Sequence, residues 1–287
     1  ACYGTGGRKG RHEQAEGIRM SCGGGIPGDH AATVLGHRPL GDGSGLLAVR
    51  CEEIAAGAEP GQFVMVRPGT GNDPFLGRPL AVADAAGDVF KMVYRIVGRG
   101  TALLASKRQG DPITVRGPIG TGFFSSRGES PLPQKVILAG GSVGAAPLLF
   151  AARKLGLQKI AGTVMGVSGR GWEGFAEWLK EAFPGTDLYS DDGTLGTKGT
   201  VLSGLPDTLP DDTEIWACGP QGMLRAIAAK YPGDGHRIMV ALESRMACGM
   251  GGCLGCVIPT IHGNRRVCVD GPVFSAGEVK WNDLSSS

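Results

Sequence analysis

Two hydrophobic periodicities divide the chain. From about Ala31 to Glu129, apolar residues come in short runs separated by turn residues. Leu46-Leu47-Ala48-Val49-Arg50 follows a Gly-Asp-Gly-Ser-Gly turn, and Gln62-Phe63-Val64-Met65-Val66 follows Pro60-Gly61. Arg78–Val82, Val89–Val97 and Pro112–Val115 complete a set of short strands. This spacing predicts an antiparallel barrel, with one short helix over Ala102–Lys107 that stops at Gly110. From about Gln134 strands and helices alternate. Lys135–Ala139, Ile160–Val167, Asp187–Ser190 and Glu214–Ala217 read as strands. Ala145–Leu155, Trp172–Phe183 and Gln221–Lys230 read as helices, and Pro147 is tolerated because it falls in a first helical turn. Alternation of this kind predicts a parallel sheet with helices on its faces. From about His236 one more strand precedes a cysteine-rich loop. Residues 1–30 are glycine-rich and aperiodic, which predicts a disordered leader. The expected fold class is therefore α/β plus all-β, divided at 31–129, 130–235 and 236–287.

Composition narrows the function. The 287 residues are 41% hydrophobic and 20% charged, as in a globular chain. A net charge of +2 provides no field for nucleic acid. The apolar uncharged run Val136–Ala152 contains three glycines and Pro147, so it reads as strand, loop and helix and not as a membrane span. With no secretory h-region at the start of the chain, a cytoplasmic location is expected.

Half of the eight cysteines fall in one C-terminal stretch, whereas Cys2, Cys22, Cys51 and Cys218 are scattered. Clustering favours metal binding over disulfides. Cys248, Cys253, Cys256 and Cys268 follow the pattern C-x4-C-x2-C with a distant fourth cysteine, which is the plant-type [2Fe–2S] spacing. Three thiolates from one tight loop reach the irons only if the backbone approaches closely and takes positive φ, freedom that Gly249, Gly251, Gly252 and Gly255 can supply. Their N–H groups, with those of Met250 and Leu254, are candidate donors to the sulfurs. Zinc is the alternative, but zinc sites usually pair two short C-x2-C hooks and the second is missing here.

The barrel carries a second constellation. Arg78 lies on a strand with the planar fork that suits a pyrophosphate. Val93-Tyr94-Arg95 leads through Val97-Gly98-Arg99 to Gly100-Thr101 at the start of the short helix, where free N–H groups suit an anion. In the alternating region, Ala139-Gly140-Gly141-Ser142-Val143-Gly144 links a buried strand to a helix, as a dinucleotide turn does. Ala217-Cys218-Gly219-Pro220 ends a later strand, where Cys218 is either functional or a small buried residue. Ser168 and Arg170 follow the second strand. An arginine there is either a solvated loop residue or a partner for a 2′-phosphate, which would favour NADP.

On these residues Pro60–Phe123 resembles the flavin domain of ferredoxin reductases. The tail Glu243-Ser244-Arg245-Met246-Ala247-Cys248-Gly249, with Gly252–Cys256 and Val267–Phe274, resembles the electron transfer subunits of type B dihydroorotate dehydrogenases. The resemblance covers nearly everything after residue 30. It implies FAD bound by Arg78, Pro79, Leu80, Ala81, Val93, Tyr94, Arg95, Gly100 and Thr101. It implies NAD(H) at Gly140, Gly141, Gly144, Cys218, Gly219 and Pro220, and a [2Fe–2S] cluster on the four cysteines. It further implies an FMN-containing dihydroorotate dehydrogenase catalytic subunit as partner, two copies of each forming a heterotetramer in pyrimidine biosynthesis. Two departures stand out: Ala81 occupies a position where the family usually has serine, and Ser142 one where a third glycine is usual. The same fold also serves sulfhydrogenase, sulfite reductase and ferredoxin:NADP reductase complexes, and a zinc-bearing binding protein without redox activity is an alternative of another class. The five histidines are scattered, and no nucleophile stands beside a base, so substrate chemistry is expected on the partner chain.

Overall fold

A computed structural model of the chain describes residues 27–69, 71 and 73–284. Most of the expected leader lies outside the described residues. Its last positions, Asp29 and His30, already open a strand.

Six strands close into a barrel: β1 (Asp29–Gly41), β2 (Ser44–Arg50), β3 (Phe63–Arg67), β4 (Arg78–Ala86), β5 (Val89–Arg95) and β6 (Pro112–Ile119). Their spatial order is β1-β2-β5-β4-β3-β6, with every pairing antiparallel. Alternation along β5 shows why. Phe90, Met92 and Tyr94 point into the barrel core, while Val93, on the other face, packs into a second core shared with the following sheet. The β1–β2 hairpin turns on Asp42 and Gly43, both at positive φ (43° and 66°), as a two-residue hairpin loop of matching twist requires.

β1 has no counterpart in the sequence-based reading, because Gly36, Arg38, Pro39 and Gly41 break its apolar alternation. Helix α1 (Glu52–Gly57) was also unforeseen, and α2 runs over Arg99–Ala105, a few residues earlier than expected.

The second sheet has the order β10-β9-β8-β7-β11-β12-β15. Its strands are β7 (Lys135–Gly141), β8 (Ile160–Val167), β9 (Asp187–Ser190), β10 (Thr197–Lys198), β11 (Thr213–Cys218), β12 (Ile238–Ala241) and β15 (Val273–Ser275). All pairs are parallel except β12–β15. Helices α3 (Ala146–Leu155), α4 (Glu173–Ala182), α5 (Val201–Gly204) and α6 (Gln221–Lys230) supply the crossovers. β7 and β11 are buried on both faces, which accounts for their unbroken apolar runs.

The C-terminal segment is sewn into this sheet and not appended to it. β12 pairs with β11, the chain leaves through the cysteine loop and a small hairpin of β13 (Val257–Thr260) and β14 (Gly263–Arg266), and then returns as β15 beside β12. No helix among the described residues is long and apolar enough to cross a membrane.

Barrel and sheet share a packed boundary. Phe123 stacks on Trp216 with centroids 4.8 Å apart and rings 6° from parallel. The largely buried Arg127–Glu214 pair (2.6 Å) lies alongside, and Trp216 Nε1 donates to the same carboxylate at 3.0 Å. Arg38 pairs with Glu181 across the same boundary at 2.7 Å, and Arg153 of α3 donates to the Ala85 carbonyl of β4 at 2.6 Å, so aromatic, ionic and backbone contacts together join the two units.

Candidate functional site

The four C-terminal thiols converge in two pairs, Cys248 with Cys253 and Cys256 with Cys268. Cys256 and Cys268 are buried, Cys248 is half-buried and Cys253 is exposed. Burial pushes the Cys248 thiol up, but N–H groups overcome it: those of Met250 and Cys253 each point at Cys248 Sγ from 3.4 Å and that of Gly252 adds to them, bringing the thiol down to about 7. The Gly255 N–H approaches Cys253 Sγ at 3.5 Å. Burial and then the hydrogen bond to Cys256 push Cys268 up to about 12. A loop that aims backbone N–H groups at thiol sulfurs stabilises thiolates and tunes a metal held by them. Two thiol pairs match a binuclear centre, in which each iron takes two cysteines.

The loop's conformation departs from expectation in one respect. Gly249 and Gly251 take positive φ (67° and 82°), but the third such position is Leu254 (56°), and neither Gly252 nor Gly255 adopts that region. Leu254 therefore supplies the third left-handed position of the loop.

Close packing ties this loop to the barrel. A Cβ on Gly249 would lie 2.6 Å from Met65 Cγ, and Arg116 Nη1 of β6 donates to the Cys248 carbonyl at 3.3 Å. Met65 is also the β3 partner of Pro79 on β4. The cysteine loop thus rests on the strand adjoining Arg78–Ala81. Neither Met65 nor Arg116 carries a sequence signal for this role, since both act through spatial adjacency.

On the barrel, Arg78 and Gly100 meet. A Cβ at Gly100 would stand 1.9 Å from Arg78 Nε, so a side chain there would displace the guanidinium that lies against the α2 turn. Arg78 Nη1 donates to the Leu76 carbonyl. Thr101 is buried, and its hydroxyl is engaged locally: it accepts from the Val97 and Gly98 N–H groups (3.0 and 3.3 Å) and donates to the Gly98 carbonyl. Tyr94 turns into the barrel, its hydroxyl 2.7 Å from His37 Nε2, and burial pushes that hydroxyl up to about 12. Val93 is buried. Arg95 pairs with Asp42 at 2.7 Å and lies 5.3 Å from the Trp172 ring centroid. Pro79, Leu80 and Ala81 are half-buried on β4.

The glycine turn after β7 lines a cleft of about 710 Å³, together with Gly219 and Pro220 after β11, Glu243 after β12, Gly255 of the cysteine loop and Val257 at the start of β13. Backbones meet there without side chains: a Cβ on Gly144 would stand 2.6 Å from Gly219 Cα. Gly140 packs on Met165, and Cys218 is buried. Burial, with the Glu243 charge adding, pushes the Cys218 thiol up. Glu243 is open to the cleft yet surrounded by protein, and this desolvation pushes its carboxyl up. The sequence-based reading assigned Glu243 no role. Its signal is position, at the C-terminal end of a buried sheet strand, where open α/β sheets bind ligands.

At the end of β8, Arg170 N–H donates to Asp192 Oδ2 at 3.1 Å, and the Thr194 N–H and hydroxyl donate to Oδ1 at 2.9 and 2.7 Å. These bonds, those of Thr194 foremost, hold the Asp192 carboxyl at about 2. A fixed negative charge therefore stands where the sequence offered only Ser168 and Arg170.

Comparison with known proteins agrees with this geometry. Residues 243–280 match the iron–sulfur cluster binding domain of dihydroorotate dehydrogenase B. The chain is 39% identical over 231 residues to the dihydroorotate dehydrogenase B (NAD(+)) electron transfer subunit homolog of Aquifex aeolicus, covering 79% of this chain and 88% of that one. It is 35% identical over 259 residues to the electron transfer subunit of Geobacillus kaustophilus, covering 88% and 98%. Among solved structures it is similar to an NADH-dependent reduced ferredoxin-NADP oxidoreductase, with a TM-score of 0.74, 28% identity, and coverage of 88% of this chain and 90% of that one. The chain therefore belongs to the family of dihydroorotate dehydrogenase B (NAD(+)) electron transfer subunits.

Proposed function

We propose that this chain passes electrons between the FMN of a dihydroorotate dehydrogenase catalytic subunit and NAD, in pyrimidine biosynthesis. The contiguity of the cysteine loop carries the reading: one loop both rests on Met65, the neighbour of the Arg78–Ala81 strand, and lines the cleft of Gly144 and Gly219.

Cys248, Cys253, Cys256 and Cys268 hold the [2Fe–2S] cluster, and the paired thiols with their N–H donors fit it. FAD lies on the barrel along Arg78, Pro79, Leu80 and Ala81, beside Val93, Tyr94 and Arg95, with Gly100 and Thr101 closing its phosphate end. The cradle that a Cβ on Gly100 would fill fits that assignment. NAD(H) enters the cleft at Gly140, Gly141, Gly144, Cys218, Gly219 and Pro220. When bound, the flavin exchanges a hydride with NAD(H) and single electrons with the cluster. The protein's own part is to orient and exclude water. Gly144 and Gly219 let backbone approach the dinucleotide, Cys218 and Glu243 border its reacting end, and Arg78 binds phosphate oxygens through its fork.

The functional division follows residues 31–129 for the flavin, 130–235 for the nicotinamide and 236–287 for the cluster, with β12 and β15 lending support to the nicotinamide sheet. The cluster loop faces the catalytic subunit, in a complex of two copies of each chain. Met250 and Leu254, exposed by 41% and 60% at this loop, are the apolar contacts on that surface.

The test is NADH formation from dihydroorotate by this chain alone, by an FMN-containing catalytic subunit alone, and by both together. Coupling only in the mixture is expected. Turnover by this chain alone refutes the relay role, and no coupling despite intact cofactors favours a ferredoxin:NADP reductase type of complex.

A further inference from the structure

The barrel carries another group of metal-ligating side chains, outside the cysteine loop. His30 opens β1, Cys51 follows β2, and Glu53 lies two residues on. Their ligand atoms all fall within 4.8 Å of one another. His30 Nδ1 is 3.7 Å from Glu53 Oε1, and Cys51 Sγ is 3.4 Å from Glu53 Oε2.

At 3.7 Å the His30–Glu53 contact is longer than the roughly 2.7–3.2 Å of an N–H···O hydrogen bond, and the Cys51 thiol donates to the other Glu53 oxygen at 3.4 Å, so the carboxylate lies between the two other ligand atoms. Two ligands of one tetrahedral zinc, with Zn–N and Zn–O near 2.0–2.1 Å and Zn–S near 2.3 Å, stand about 3.3–3.5 Å apart. Both measured separations lie close to that value, though they run to different oxygens of the Glu53 carboxylate, and one ligand atom from each of the three residues falls within 4.8 Å of the others. The donor set of one sulfur, one imidazole nitrogen and one carboxylate oxygen is also the mixed set that zinc takes. Cys51 is buried, His30 is half-buried and Glu53 is exposed. The soft ligand is therefore innermost, and the side toward solvent leaves room for a water as fourth ligand.

We infer that His30, Cys51 and Glu53 form a zinc site with an open fourth position, independent of the cysteine loop. On binding, the Cys51 thiol gives its proton to solvent, and neutral His30 and ionised Glu53 donate lone pairs, so no oxidation state changes. The ion would join two barrel segments, β1 and the turn after β2, the second of which is already tied to a third. His30 sits on β1 opposite Val115 of β6, and the Cys51 N–H donates to the Asp88 carbonyl in the β4–β5 turn at 2.9 Å. A bound ion should therefore raise the unfolding temperature of the barrel.

The experiment uses the full chain with its iron and flavin retained. Zinc chloride is the probe, with calorimetry for affinity and elemental analysis of zinc and iron after desalting. A single zinc per chain is expected, with iron and flavin contents unchanged. Glu53→Gln, at an exposed position that leaves folding intact, and Cys51→Ser should each weaken binding by at least about tenfold, a loss that even an outer-shell partner can bring. Cys253→Ser should strip the cluster iron and leave this zinc in place. Three results would overturn the site: no zinc retained by the wild type, wild-type affinity in both Glu53→Gln and Cys51→Ser, or zinc lost with Cys253→Ser but kept with Cys51→Ser. In the last case the zinc belongs to the cluster cysteines, and His30, Cys51 and Glu53 form only a capped turn.

Discussion

The cysteine loop and the dinucleotide cleft adjoin in space but are encoded differently. Three of the four cluster ligands fall within nine consecutive residues, Cys248–Cys256, and the loop brings its own N–H donors. The cleft instead gathers Gly144, Gly219, Glu243 and Val257 from the ends of distant strands. A local site stands or falls with one residue, because each thiolate is a ligand. A dispersed site spreads its binding over many weak backbone contacts, so single changes there should shift an affinity or a preference and leave the site standing.

The largest effect should come from the local site. Cys253→Ser should abolish the cluster and with it NADH formation from dihydroorotate in the assembled complex. Flavin content and NADH-driven reduction of two-electron dyes should persist, because neither the Arg78 strand nor the cleft uses this thiol. Iron and flavin analysis of the variant checks this. Joint loss of iron and flavin would show that the loop and the barrel fold as one unit, as the contact of Gly249 with Met65 permits.

Arg78→Ala comes next. Loss of a charge-assisted contact to phosphate should weaken FAD retention by about 1.5–3 kcal/mol. The companion change Gly100→Ala would force a Cβ into the Arg78 guanidinium and should weaken retention through displacement of the same arginine. Flavin titration into the deflavinated proteins separates the outcomes. Retention as tight as wild type in both variants means the phosphates lie elsewhere.

The same contrast governs how much could be read beforehand. The cysteine spacing, the buried run Lys135–Ala139 and the glycine turn behind it were legible because each signal is contiguous. β1 was not, since its pairing with β2 and β6 overrides a sequence broken by Gly36, Pro39 and Gly41. The hairpin β13–β14 and the return of β15 were hidden by short strands in a cysteine-rich stretch. Arg95 reads as a cofactor ligand in sequence, but in space it also pairs with Asp42 and faces Trp172, partners 53 and 77 residues away. His30, Cys51 and Glu53 show no metal-binding spacing, because the barrel brings them together only after it closes.

A smaller effect is expected at the end of β8. Asp192 holds a negative charge against the Gly169–Arg170 turn, where the second strand of a dinucleotide fold meets the ribose. That charge should repel a 2′-phosphate. Asp192→Asn keeps one oxygen for the Thr194 donors but removes the charge. The ratio of kcat/KM for NADPH to that for NADH should rise by about tenfold, or ~1.4 kcal/mol. An unchanged ratio would mean that the carboxylate braces the turn without selecting the cofactor.

The smallest effect isolates the backbone of the dispersed site. Ser142 sits at φ 54°, the left-handed region that costs an L-residue roughly 1–2 kcal/mol. Glycine removes that strain but loses about 0.5–1 kcal/mol through its freer unfolded chain. Ser142→Gly should therefore stabilise the protein by a net ~0.5–1 kcal/mol, measured by denaturant unfolding of iron- and flavin-loaded protein. The KM for NADH tells whether the serine serves only the turn. An unchanged KM with higher stability assigns Ser142 a backbone role, as expected where neighbouring glycines make the close approach. A raised KM would show that the hydroxyl also contacts the dinucleotide, making the site less dispersed than its backbone suggests. Lower stability would show that local hydrogen bonding, and not strain, governs this turn.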